Sequence, residues 1–221
     1  MSPEIINQLV DATALTLYMV AVAALIGTAL GLPLGVFLAT SRAGEIFAAP
    51  LTNRVIGTVV NATRSTPFII LVVAIIPFTR LVAGTSIGTT AAIVPLTIAT
   101  IPFVARLVEA SIREVDPGLI ETARAMGATP MQIVWKVLLA EARPGITLAL
   151  TLTVVSLIGY SAMVGAVGGG GLGDLGIRYG YQRFMPDVML AVVVVLIVLV
   201  QLIQSIGDGL ARRFDKRQRS R

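Results

Sequence analysis

Of the 221 residues, 56% are hydrophobic and only 13% are charged, about half of the ~25% charge usual in a soluble domain. That excludes an ordinary soluble globular protein, and the apolar content excludes disorder. The net charge is +5 and there is neither cysteine nor histidine, so disulfides, thiol chemistry, a Cys/His metal site and a histidine base are excluded.

Five stretches approach the ~20 apolar residues needed to cross ~30 Å of hydrocarbon. In chain order they are residues 12–39, 55–83, 87–108, 145–168 and 188–207. The expected fold is an all-α integral membrane protein of five transmembrane helices, one transmembrane domain over residues 1–221. The first stretch lacks a basic leader and is too long for a cleaved signal, so it reads as a true span. The second contains Arg64, and Thr66-Pro67 reads as an N-cap and first helical residue. That places the true start of this span near 66 and Arg64 at an interface; the alternative is an arginine lining a wet path. The third contains Pro95 and Pro102.

Orientation follows from Lys and Arg. No basic residue precedes Arg42. With the N-terminus outside, the inner segments hold Arg42, Arg54 and Arg64, then Arg106, Arg113, Arg124, Lys136 and Arg143, then Arg212, Arg213, Lys216, Arg217, Arg219 and Arg221. Only Arg80, Arg178 and Arg183 fall outside, so the C-terminus is expected in the cytoplasm. The basic tail thus reads as the flank of a membrane helix, and nucleic acid is not an expected partner.

Between the third and fourth spans lies the one sizeable polar insertion. Asp116-Pro117 reads as N-cap and N1 of a helix carrying Leu119, Ile120, Ala123 and Met126 on one face. Gly127 reads as a left-handed C-terminal cap. Thr129-Pro130 starts a second helix through Met131, Val134, Trp135 and Leu138 to about Glu141. Residues 116–142 are therefore expected to form a helical hairpin at the membrane surface. It either packs on its own spans or docks into a partner's groove.

The stretch ETARAMGATPMQIVWKVLLAEARPG resembles the cytoplasmic signature of permease subunits of bacterial ABC importers: EAA, three residues, Gly, nine residues, Ile-x-Leu-Pro. The matching positions are Glu121, Thr122, Ala123, Gly127, Val137, Leu139 and Ala140. Thr122 and Val137 are mild departures; Ala140 replaces a helix-breaking Pro. NATRSTPFIILVVAIIPFTRLVAGTSIG, AAIVPLT and GYSAMVGAVGGGGLG further resemble the methionine-import permeases of that family. The resemblance implies a homodimer in the cell inner membrane, two cytoplasmic ATPase subunits and an external substrate-binding lipoprotein. It implies no cofactor in this chain, with ATP and magnesium held by the ATPase. It also implies that Glu121, Thr122, Ala123, Arg124, Ala125, Met126, Gly127, Ala128 and Thr129 form the coupling helix that meets the ATPase.

An external motor also follows from the residues themselves. Neither Lys136 nor Lys216 follows a glycine, so there is no phosphate-binding P-loop. The first, fourth and fifth spans hold no Asp, Glu, Lys or Arg, and Arg106 and Glu109 read as a local ion pair. A proton- or ion-coupled carrier would need intramembrane ionisable groups. Five helices can hardly enclose a wide aqueous path, and a twofold dimer would supply ten.

Residues 165–184 are glycine-rich. Gly171-Leu172-Gly173-Asp174-Leu175-Gly176 matches G-x-G-x-x-G, but without a βαβ unit the match carries no dinucleotide site. The segment reads as a flexible tight turn on the outer face, or as a docking surface for the binding protein through Arg178, Tyr179, Tyr181 and Arg183. Gly159-Tyr160-Ser161 lacks the histidine that a serine nucleophile needs. Tyr160, Ser161 and Met163, beside small residues, read as gate candidates or as plain helix packing.

Overall fold

The computed structural model describes residues 3–214, and the described residues form helices joined by short turns, without a strand. Arg212 and Arg213 end the last helix, while Lys216, Arg217, Arg219 and Arg221 lie outside the described residues. Among the described residues, four helical stretches are long and apolar enough to cross a bilayer. They are α1 (Pro3–Thr40), α5 (Thr89–Arg113), the stretch Arg143–Gly169 that begins with α9 (Arg143–Val164), and α11 (Pro186–Phe214). Leu190, Val193, Val194, Ile197 and Val198 on α11 are exposed, as suits a lipid-facing helix.

The bundle is built on the α1–α5 pair. Gly27, Gly31 and Gly35 recur every four residues on α1 and meet Thr100, Val104 and Val108, spaced likewise on α5. Such small-residue rows let membrane helices approach closely. A Cβ on Gly31 would lie 2.7 Å from the Ile101 carbonyl oxygen, and one on Gly35 would lie 2.6 Å from that of Ala105. Backbone cannot change rotamer, so these contacts yield only by parting the helices. Gly31→Leu is expected to destabilise the fold by about 3 kcal/mol, the upper range for overpacking. The check is the melting temperature in detergent and the monodisperse fraction on gel filtration.

The second span departs from expectation only in part: a new helix does begin just after Thr66-Pro67. Residues 55–83 are not one helix. α2 (Pro50–Ser65) ends at Thr66, and α3 (Phe68–Ala74) leaves at 103° to it. The cause is local. Pro67 forces the preceding residue out of the helical region, and Thr66 is extended at ψ 125°. Thr66 does not act as an N-cap either; its hydroxyl donates back to the Ala62 carbonyl at 3.2 Å. Pro67 occupies the cap position. α4 (Ile76–Ala83) continues α3 after a break at Ile75, where Pro77 lacks a backbone donor. With 7 and 8 residues, α3 and α4 together reach only ~24 Å.

The expected pair of Arg106 and Glu109 is present, with a third member that sequence spacing hid. Glu109 is 3% exposed. Its Oε2 accepts from Arg106, and its Oε1 accepts from Arg42 at 2.7 Å. Arg106 also donates to Asn61 Oδ1 at 3.0 Å and to the Gly57 carbonyl at 3.1 Å. The group ties the end of α1, the middle of α2 and α5 together. Asn53 adds bonds to the Leu38 carbonyl and the Ser41 hydroxyl.

The glycine-rich segment is not a loose turn. α9 passes into a π turn, Gly165–Gly169, and the chain reverses through positive φ at Gly168, Gly170 and Gly171. α10 (Gly171–Leu175) then packs back between α1 and α9. Leu172 is fully buried, and its N–H donates to Thr16 Oγ1 at 2.9 Å. A Cβ on Gly173 would sit 2.3 Å from the Ala162 carbonyl oxygen. Glycine here permits contact as much as it permits turning.

Candidate functional site

Three surfaces carry the candidate residues. The first is the hairpin that follows α5. Asp116 caps α6 (Pro117–Ala125) by accepting from the Gly118 N–H at 2.8 Å. Gly127 is left-handed at φ +78°. Its N–H donates to the Arg124 carbonyl at 2.9 Å, and that of Ala128 donates to the Ala123 carbonyl at 3.0 Å. These two bonds are the paired closure of a Schellman cap. Thr129 and Gln132 form a reciprocal capping box. The second arm runs through α7 (Pro130–Gln132), a π turn and α8 (Leu139–Glu141). It stays helical through Ala140 and bends at Ala142, ahead of Pro144.

Ala123, Ile133, Val134 and Leu138 bury against Ile112 and Val115 at the end of α5. The hairpin is therefore seated on the bundle by one face only. Met126 is not on that face, contrary to expectation. It lies past the last helical turn and is 77% exposed. Leu119, Met131 and the 65%-exposed Trp135 are exposed with it. Glu121, Thr122, Arg124, Ala125, Gly127 and Thr129 are exposed, Ala128 is half-buried, and only Ala123 of the nine candidates is in the core.

The second surface is a cleft at the elbow between α2 and α3, with a volume of about 370 Å³. Its walls include Arg64, Phe68, Phe103, Tyr160 and Met163. The Tyr160 ring stacks on Phe68 with centroids 4.4 Å apart, joining α9 to α3. Thus two of the three gate candidates share one cavity. Ser161 does not; it is 2% exposed, and its hydroxyl donates to the Ile158 carbonyl at 2.7 Å. The Phe68 contact was not legible in the sequence, because a 92-residue separation leaves no local signal.

The third surface follows α10. Arg178 pairs with Asp174 at 2.7 Å. The guanidinium carbons of Arg178 and Arg183 lie 5.4 and 4.4 Å from the centre of the Tyr179 ring, within cation–π range. Tyr181 is exposed. Phe184, which the sequence reading passed over, is 86% exposed at φ +53°. An exposed bulky aromatic in the left-handed region is unusual and worth a functional reading.

Comparison with known proteins agrees with this architecture. Residues 31–220 match the family described as the binding-protein-dependent transport system inner membrane component. The probable D-methionine transport system permease protein MetI of Vibrio cholerae is 59% identical over 209 residues, covering 95% of this chain and 93% of that protein. The D-methionine transport system permease protein MetI of Escherichia coli K12 is 55% identical over 150 residues, covering 68% and 69%. A chain of the inward-facing MetNI methionine ABC transporter superposes with a TM-score of 0.96 at 51% identity, covering 98% of this chain and 100% of that one. An amino acid ABC transporter superposes with a TM-score of 0.78 at 21% identity, a likeness of fold alone. The helical bundle and these matches together make this chain a member of the family of binding-protein-dependent transport system inner membrane components.

Proposed function

We propose that this chain is the permease subunit of an ATP-driven importer and forms the path for methionine across the cytoplasmic membrane. The observation that carries the reading is the near-complete superposition on a chain of the MetNI methionine transporter. The chain itself does no chemistry. ATP and its magnesium are held by two ATPase subunits beneath a homodimer of permeases, and an external lipoprotein delivers the substrate.

In this reading the N-terminus faces outside, and residues 1–221 form one permease domain. The second crossing is made by α2, α3 and α4 in series, with α2 running along α5 from the inner side up to the elbow. The hairpin at 116–142 is cytoplasmic. Its rigid caps hold α6 in place, and its exposed Met126, Met131 and Trp135 enter a groove of the ATPase, in the manner of a helix laid into a groove. Closure of the ATPase pair then moves α5 and α9, which carry the two ends of the hairpin. Tyr160 and Met163 line the path where those helices meet α3, and Ser161 packs behind them. Arg178, Tyr179, Tyr181, Arg183 and Phe184 meet the binding protein on the opposite side.

The test is reconstitution. Purified with its ATPase and binding protein in liposomes, the chain is expected to take up methionine only with ATP present. Uptake by the chain alone, driven by an ion gradient, would overturn the reading in favour of an ion-coupled carrier.

A further inference from the structure

On the reading of this chain as an amino-acid permease, we propose that Arg64 is the residue that receives the substrate's carboxylate inside the path. The elbow cleft then holds a zwitterionic amino acid with an uncharged side chain.

The cleft's charge is one-sided. Arg64 is the only ionisable group among its walls besides the Tyr160 phenol, and no carboxylate lines it. Among the described residues Arg64 makes no ion pair, whereas Arg42 and Arg106 both pair with Glu109. Arg64 is exposed at the rim of this otherwise apolar cleft, and an arginine lining such a wet opening within a membrane bundle is a candidate for a substrate or ion path. An arginine presents a planar fork that fits a carboxylate in bidentate fashion.

The neighbouring hydroxyls cannot do this work as they stand. Thr63 Oγ1 donates to the Val59 carbonyl, Ser65 Oγ to that of Asn61, and Thr66 Oγ1 to that of Ala62. Their protons are directed back along α2, and what they leave facing outward is lone pairs. The donors left for an anion in this wall are therefore Arg64, which alone carries charge, and the Tyr160 phenol. The same lone pairs, with the negative carbonyl end of α2, suit an ammonium group. The rest of the wall is apolar or aromatic, with Phe68 stacked on Tyr160 and with Phe103 and Met163 nearby. A thioether side chain makes favourable contacts with such rings. The volume of about 370 Å³ falls within the ~300–1,000 Å³ of small-molecule sites.

The chain contains no cysteine, so Ser65→Cys places a unique reporter in the wall of the cleft. The experiment measures the rate of maleimide labelling of that thiol in the permease–ATPase complex, without binding protein. Methionine is expected to slow labelling, and methioninol, which lacks the carboxylate, is not. Adding Arg64→Gln is expected to weaken protection by roughly tenfold or more, the loss of one charge-assisted contact. Arg64→Lys is expected to retain part of it, which also guards against a folding defect in the glutamine variant. Absence of protection by methionine with Arg64 present, equal protection by methioninol, or undiminished protection after Arg64→Gln would each overturn the proposal. ATP-driven methionine uptake by the unmodified transporter is measured in parallel. Its absence would instead strike the permease reading, so the two failures are distinguishable.

Discussion

Gly127→Val is expected to leave the chain inserted in the membrane while ATP-driven uptake falls by roughly tenfold or more. The residue sits at φ +78°, where a left-handed backbone costs an ordinary residue about 1–2 kcal/mol and a β-branched one more. Relaxing to negative φ would break the paired bonds from Gly127 and Ala128 to the Arg124 and Ala123 carbonyls. No atom lies within 4 Å of a Cβ placed on Gly127. The lesion is therefore conformational rather than a clash, and its effect is confined to the angle between the arms of the hairpin. Gly127→Asn separates these causes, because asparagine tolerates the left-handed region. The asparagine variant is expected to keep most of the uptake. Uptake and ATP hydrolysis by the reconstituted complex are the measurements. Normal coupled uptake in the valine variant would remove the hairpin from the transmission path.

Glu109→Gln is expected to lower the melting temperature in detergent by about 6–12 °C. The carboxylate is buried and uses both oxygens, one for Arg42 and one for Arg106. Removing its charge strands the Arg106 guanidinium, which is only 20% exposed. Breaking a buried pair in this way costs about 3–5 kcal/mol. The lower end applies here, since Arg42 is 39% exposed and can turn to water. At ~2–4 °C per kcal/mol for a chain of this size, the shift is well outside error. Arg178→Gln is the matching control. Its pair with Asp174 is solvent-exposed, and such pairs contribute ~0–1 kcal/mol, so little change in melting temperature is expected. A shift as small for Glu109→Gln would mean that the group does not hold α1, α2 and α5 together.

The hairpin shows how much of this protein can be read locally. Asp116, Gly127 and Thr129 act within one helical turn of themselves, and each caps as its residue type dictates. Met126 failed the same reading because helical counting was carried one residue too far, past the end of α6. At the second span the signal was present but misjudged. Thr66-Pro67 did mark the start of a new helix, but Thr66 was read as its N-cap, and the second break at Ile75–Pro77 was not read at all. Gly27, Gly31 and Gly35 offered a four-residue spacing that could have located the α1–α5 contact from sequence. The Arg42–Glu109 bond joins the turn after α1 to α5 across 67 residues of sequence and left no comparable trace.

What the amino-acid sequence determined by itself was the membrane class, four of the helical crossings and the capped hairpin. These depend on hydropathy, capping and residue chemistry, which act over a few turns of chain. Tertiary structure alone decided that Glu109 serves two arginines and that the glycine-rich segment packs as α10 rather than hanging as a loop. Glycine is equally suited to a turn and to a close approach. Which of the two it serves depends on the surface brought against it, and that surface comes from distant parts of the chain.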